Sequence, residues 1–591
     1  MKLVFLFISL AFIASFQCTD RNKTSGALQT RVAILGSPSF PDVEWNEQNL
    51  NKIKKLGFNA IQLNIAWGSR PADEPLTLED VVDLPPEKAY LQQSLPLRCD
   101  TSAVRMQQRR QELKKRIALC KKTGLRSIFH FGAPFNHHAR FGNCPPNHLL
   151  DGRTPDYYAA MLEAFAAEYP GVDDILIYTY DQDAWLRAEF AVCDKDNRHI
   201  GIPLDEKVVP FLEKLSATWH AINPNGRLWW EPWELSAGES LTCIEKINPK
   251  GFGLALHCNI AEVLATLPVD RWLKNASNLA GERNIPVIVE YWLGGATEDL
   301  EPYQYIPFPL VTLRGLQAIA SVPHVTGIKE YYGLIPTRED ANLRMTSIFF
   351  HNPQIDEKKA LGLLAKPYGP IAGSMIQYWQ LISKGMELFP WETSWFIRKL
   401  GRSNPVHAMS AAFLRGYMVA TPSWRSTRHA IFMKIDDDQP HFWMLEDVQL
   451  RCQLAAEPLA QAIALGDSLQ KEVPDEMRDE FSKGLQELKG FHQRALAYAF
   501  HIRETNLAMM MRDLREHKLP IPQRMKDELI AVLEKDQKNQ GQQEPIGSAL
   551  QILQKNRDRF LDIYFKVPGE KGAAVGDWTT PNLGLHSVTS R

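Results

Sequence analysis

The stretch ILIYTYDQDAWLRAEF, residues 175–190, places two carboxylates one residue apart behind a run of β-formers. These are Asp181 and Asp183, and Trp185 follows. Residues two apart on a strand share a face, so both acids can point the same way. Their mutual repulsion would raise one pKa and keep a proton available. Similar endings recur upstream and downstream: Asn64 with Trp67, His130, Trp230 and Glu231 with Trp233, His257 with Asn259, Glu290 with Trp292, and Glu330 with Tyr331. Acids beside aromatic rings suit a sugar. Rings stack on its flat face, while amides and imidazoles hydrogen-bond its hydroxyls. Cleaving a glycosidic bond needs a general acid and a second carboxylate, which acts as nucleophile or as base for water. Asp183, Asp181, Glu290, Glu231 and Glu330 are the candidates for those roles. Trp67, Trp185, Trp230, Trp233, Trp292 and Tyr331 are candidate platforms. Asn64, His130, His257 and Asn259 are candidate hydroxyl binders.

The elements that must carry these residues repeat. Short β-branched runs occur at 31–37, 59–68, 125–134, 175–183, 227–234, 251–259, 286–294 and 327–334. Helical stretches such as WNEQNLNKIKKLGF and PLDEKVVPFLEKLSATWHAI lie between them, with apolar residues at three- and four-residue spacing. KKLGF and KKTGL each place a glycine where a helix should stop. Strands alternating with helices predict a parallel sheet, and eight such units in one block predict an α/β (β/α)8 TIM barrel over 30–350. An open doubly wound sheet would carry a glycine-rich phosphate turn after its first strand. The sequence there is GSPSFPD. Residues 351–565 read as a mostly α-helical C-terminal domain, 535–547 as a flexible connector inside it, and 566–591 as an irregular tail. In a barrel of this type function collects at the C-terminal ends of the strands, where these acids and aromatics fall.

With these strand ends, the chain resembles the superfamily of (β/α)8-barrel glycoside hydrolases. The resemblance implies an acid/base after the fourth strand and a nucleophile at the end of the seventh. Asp181 and Asp183 match the first position, and Glu290, in VIVEYW, matches the second. The close Asp pair is similar to that of barrel β-N-acetylhexosaminidases, although Gln182 separates the two acids here. A barrel followed by helices is similar to α-glucuronidases and to some hexosaminidases. The implied partner is an oligo- or polysaccharide, and no cofactor or metal is implied.

Composition narrows the alternatives. A formal net charge of -2 argues against nucleic acid as a partner. The N-terminal MKLVFLFISLAFIASFQC has the length and polarity of a signal peptide, so 1–18 predicts export. Two routes stay open: a bacterial lipoprotein anchored through Cys18, or release to the periplasm or medium. The chain has 8 cysteines without a CxxC pair, which is neither a disulfide scaffold nor a zinc ribbon. Two rivals remain. One is a metal-dependent barrel hydrolase using His130, His137, His138, His148 and His257. The other is a non-catalytic surface glycan-binding protein. In ELFPWETSWFIRKLG, Trp391 and Arg398 fit either a core stripe or a helix leaning over the mouth.

Overall fold

The computed structural model describes residues 28–37, 40–65, 74–75, 77–92, 102–133, 149–178, 201–232, 237–258, 269–297, 300, 303–391, 442–541 and 544–564. Eight parallel strands close on themselves in sequence order: β1 (Thr30–Ile34), β2 (Ala60–Gln62), β3 (Arg126–Gly132), β4 (Asp174–Tyr178), β5 (Leu228–Glu231), β6 (Phe252–His257), β7 (Val287–Tyr291) and β8 (Val325–Glu330). Closure is made by β1 on β8, with Val32 opposite Lys329. Each of the eight β-branched runs overlaps one of these strands, with β1, β4 and β8 beginning one or two residues before their runs and every strand ending short of its run.

Each strand has an inner and an outer face. Val32, Ala60, Ile128, Leu176, Trp229, Ala255 and Ile288 form one apolar cluster inside the barrel, together with Tyr178. Large and small residues alternate in it. A Cβ on Gly253 would lie 2.5 Å from the Trp229 ring, so glycine makes room for that indole. The outward residues, such as Ile177, Trp230, Val289 and Ile328, belong to the larger core shared with the helices.

Helices α1 (Glu47–Lys55), α2 (Ala103–Thr123), α3 (Arg153–Glu168), α4 (Leu204–Ile222), α5 (Ala237–Lys246), α6 (Arg271–Glu282), α7 (Pro309–Ala320) and α8 (Ala341–His351) surround the barrel. Gly57 and Gly124, at φ +103° and +69°, end the first two. A left-handed residue at that position costs glycine nothing, and the chain turns back into the next strand.

Beyond α8 the described chain is helical. Its longest element, Asp475–Glu516, is clamped to the β7–α7 loop. Glu487 accepts hydrogen bonds from the backbone N–H of Gln304 and Tyr305. Arg338 pairs with Glu480, donates to the Gln304 carbonyl and lies 3.8 Å from the Tyr305 ring centroid. The pair is half-buried, so losing Arg338 removes charge-assisted hydrogen bonds and leaves Glu480 without its cation. Arg338→Ala should therefore cost about 1–3 kcal/mol of unfolding free energy, read from denaturant melts. An unchanged midpoint would show that the clamp is dispensable.

The connector expected at 535–547 is corrected. Residues Gln523–Gln540 form one helix, Gly541 caps it at φ +76°, and Glu544–Lys555 is already the next helix. Lys and Gln are good helix formers, so a polar composition there did not mean a flexible chain. Trp391 is also settled. It lies past the Ala372–Leu388 helix, 3% exposed, stacked on Phe491 and donating to the Met386 carbonyl. It is a core residue and does not lean over the mouth.

Candidate active site

Strand parity decides which acids meet. In β7, Val287, Val289 and Tyr291 face the helices, so Ile288 and Glu290 face the axis. The same alternation turns His130, Glu231, His257 and Lys329 inward from β3, β5, β6 and β8. Five strands thus deliver charged or titratable side chains to one place at the C-terminal end of the barrel.

The contacts are close and dry. His257 Nε2 lies 3.1 Å from Glu231 Oε1 and 3.0 Å from Glu290 Oε2. Lys329 Nζ donates to Glu290 Oε1 at 2.6 Å. His130 Nε2 sits 3.5 Å from Glu231 Oε2, and its ring stacks on Tyr178 at 4.5 Å. Tyr331 meets His257 edge-on, and Trp292 meets Tyr331 in the same way. All of these side chains are buried, Glu290 at 0% exposure. Glu290 Oε2 accepts no hydrogen bond of good geometry, which leaves one oxygen of a fully enclosed carboxylate uncommitted.

Such packing shifts the titrations in opposite directions. Burial alone would raise the Glu231 carboxyl. Hydrogen bonds from His130 and His257 and the Lys329 charge outweigh it and hold the group well below the usual range. Burial alone would lower His257, but its two carboxylate neighbours lift it to about 9. Burial pushes His130 down despite its contact with Glu231. The resting cluster therefore carries an ionised Glu231 beside a protonated His257 and an unprotonated His130.

Asp181, Asp183, Trp185, Trp67, Trp233, Asn259, His137, His138, His148 and Arg398 fall outside the described residues, as does the N-terminal segment with Cys18. Trp230 is corrected as a platform. It points away from the axis, is 0% exposed and packs near Phe252. Asn64 is corrected as a hydroxyl binder. Its amide donates to the carbonyls of Pro75 and His130 and accepts from the His130 N–H, so it ties β2 to β3.

Glu330 is corrected as a reserve acid. It follows Lys329, so it faces outward. Its oxygens accept from the backbone N–H of Leu293, Tyr332 and Gly333 and brace the two loops. Burial raises it to about 7, outweighing those three bonds. A carboxyl raised in the fold binds more protons folded than unfolded between its ordinary value of 4.5 and about 7. Its contribution to stability therefore falls as pH rises through that window. Glu330→Gln puts an amide where a backbone N–H needs an acceptor and should cost about 1–3 kcal/mol. That cost should be smaller at about pH 8 than at about pH 5, since the wild type loses its advantage on ionisation. A pH-independent difference in unfolding free energy would contradict this.

Lys329 and Tyr178 were missed. The signal for Lys329 was present in GIKEYYGL: Ile328 must face the helices, which sends its neighbour Lys329 inward. For metal, Glu231, His257 and Glu290 each offer a ligand atom, and these atoms lie within 4.8 Å of one another. Among the described residues no helix is long and apolar enough to cross a membrane. Cys120, Cys243 and Cys452 are buried free thiols, and Cys258 is buried as well.

The backbone fold is similar to that of a solved GH138 enzyme targeting pectin rhamnogalacturonan II. The TM-score is 0.57 at 11% identity, over 87% of this chain and 62% of that chain. This chain thus matches about three fifths of that enzyme's length. A psychrophilic glycoside hydrolase family 10 endo-β-1,4-xylanase matches at 12% identity and TM-score 0.31, over 52% of this chain and 86% of that one. An endo-1,4-β-mannanase from Rhizomucor miehei matches at 10% identity and TM-score 0.32, over 55% of this chain and 94% of that one. Scores that low add nothing to the first. No protein-family model matches the sequence, and neither does any curated protein. The likeness is one of fold, a closed (β/α)8 barrel followed by a helical region.

Proposed function

We propose that the protein is a glycoside hydrolase, with Glu290 as nucleophile and Glu231 as acid/base. One observation carries the proposal. At the inner end of β7, Lys329 holds Glu290 by Oε1 while Oε2 stays buried and without a hydrogen bond, next to a second carboxylate. A binding rim has no use for such an arrangement, because burying charge costs stability and is kept where chemistry needs it.

The steps follow from the contacts. Oε2 of Glu290 attacks the anomeric carbon as the bond to the leaving oxygen breaks. That oxygen needs a proton. Glu231 is ionised at rest, so the proton comes from His257 Nε2 across the 3.1 Å hydrogen bond to Glu231 and on to the leaving group. Water then attacks the anomeric carbon as Glu231 takes its proton, the bond to Glu290 breaks, and the proton passes back from Glu231 to His257. Lys329 stabilises the carboxylate that departs. Tyr178 and Tyr331 border the cluster, while Trp292, 1% exposed, packs behind Tyr331 and is not a platform.

An oxygen of Glu231 and one of Glu290 lie within 4.8 Å. An inverting pair needs about 6.5–9.5 Å to admit water, so anomeric configuration should be retained. Proton NMR of the first-formed product would show this, and the opposite anomer would exclude a covalent Glu290 intermediate.

Asp183 is the competing acid, and leaving groups separate the two. Loss of the general acid hurts poor leaving groups by about 10²–10⁴-fold and spares activated ones. Glu231→Gln should show that pattern on alkyl against dinitrophenyl glycosides. If Asp183→Asn shows it instead, the acid role moves to Asp183 and the hydrolase proposal stands. If the wild type binds but cleaves none of a panel including pectic, plant and algal oligosaccharides, the hydrolase proposal fails. Export also belongs to this proposal. The mass of the mature N-terminus distinguishes a lipid on Cys18 from simple cleavage.

A further inference from the structure

We infer that Glu231, His257 and Glu290 form a binding site for a single transition-metal ion of the Zn²⁺ class, and that the ion excludes sugar. The donor atoms are Glu231 Oε1, His257 Nε2 and Glu290 Oε2. The imidazole nitrogen is 3.1 and 3.0 Å from the two oxygens. At metal–ligand bonds of about 2.0–2.2 Å, atoms that far apart subtend roughly a right angle at a shared ion. Glu290 Oε2 is buried and accepts no well-aligned hydrogen bond, so a cation that displaces the proton on His257 Nε2 would bridge this oxygen to the imidazole.

The far oxygens are already held. Lys329 grips Glu290 Oε1, and His130 lies against Glu231 Oε2. Such outer contacts orient ligating groups and are part of a built metal site. One nitrogen with two carboxylate oxygens favours Zn²⁺ or Co²⁺ over Ca²⁺ and Mg²⁺, which prefer all-oxygen shells. Three protein ligands leave a fourth position for water. The Lys329 ammonium repels a dication but is spent on the distal oxygen. The ion would occupy the two oxygens that the proposed hydrolysis uses, so it would inhibit the reaction.

The inference rests on the same cluster as the proposed function, but its test needs no sugar. The full chain, stripped with a chelator, is titrated with Zn²⁺ by calorimetry and with Co²⁺ by visible absorption. One equivalent of each should bind, with Mg²⁺ giving no comparable heat. His257→Gln and Glu290→Gln should each weaken binding by about 100-fold or more, since even outer-shell losses reach that size. If a variant fails to fold, Zn²⁺ should still raise the unfolding midpoint of the wild type. No binding, or equal affinity in both folded variants, overturns the inference. Hydrolysis that is untouched by saturating Zn²⁺ also overturns it. Zn²⁺ bound at the triad of a chain that cleaves no glycoside supports the inference and overturns only the hydrolase proposal.

Discussion

Glu290→Gln is expected to lower turnover of any glycoside the protein cleaves by about 10⁴-fold or more, with the barrel intact. Removing a nucleophile from a working constellation costs on this scale or beyond it. The amide still offers an oxygen to Lys329, so the buried ammonium keeps an acceptor. What disappears is the free Oε2, the atom placed to attack. The loss should fall on kcat, because the interaction is made in the transition state. Initial rates, with circular dichroism as a control for folding, are the measurement. A variant within tenfold of wild type would remove Glu290 from the chemistry.

Lys329→Met has the second largest expected effect, and it falls on stability. Lys329 and Glu290 are both buried and 2.6 Å apart. Losing the cation strands a carboxylate in the barrel, with His257 as its only charged neighbour of opposite sign among the described residues. One-sided removal of a buried pair costs about 3–5 kcal/mol. The double variant Lys329→Met/Glu290→Gln carries no stranded charge and should recover part of the loss. Urea melts of the wild type, the two single variants and the double variant form the cycle that measures the coupling. Additive effects would mean that the two groups are not a functional pair.

Much of this was legible in the chain. The eight apolar runs and the glycines at Gly57 and Gly124 determine a barrel, because parallel strands need covering helices and each helix needs a stop. Glu290 and His257 were recognisable as strand-end residues for the same reason. Other features were not. Glu231 and Glu290 are 59 positions apart in sequence, and nothing local says that their oxygens meet across His257. Glu330 and Lys329 are adjacent, and their types alone favour the acid as a catalyst. The pleat turns Lys329 into the site and Glu330 into a brace for backbone amides. Trp230 read as a sugar platform until its outward face placed it in the core.

The sequence by itself determined the order of strands and helices, the glycine helix stops and the richness of acids and aromatics at strand ends. These follow from local propensity and from the two- and 3.6-residue periods of the backbone. Only the tertiary structure decided which acids share a proton, which lysine neutralises them and which carboxyl is ionised. Those properties depend on distances across the closed barrel and on burial, and both arise only when β1 meets β8.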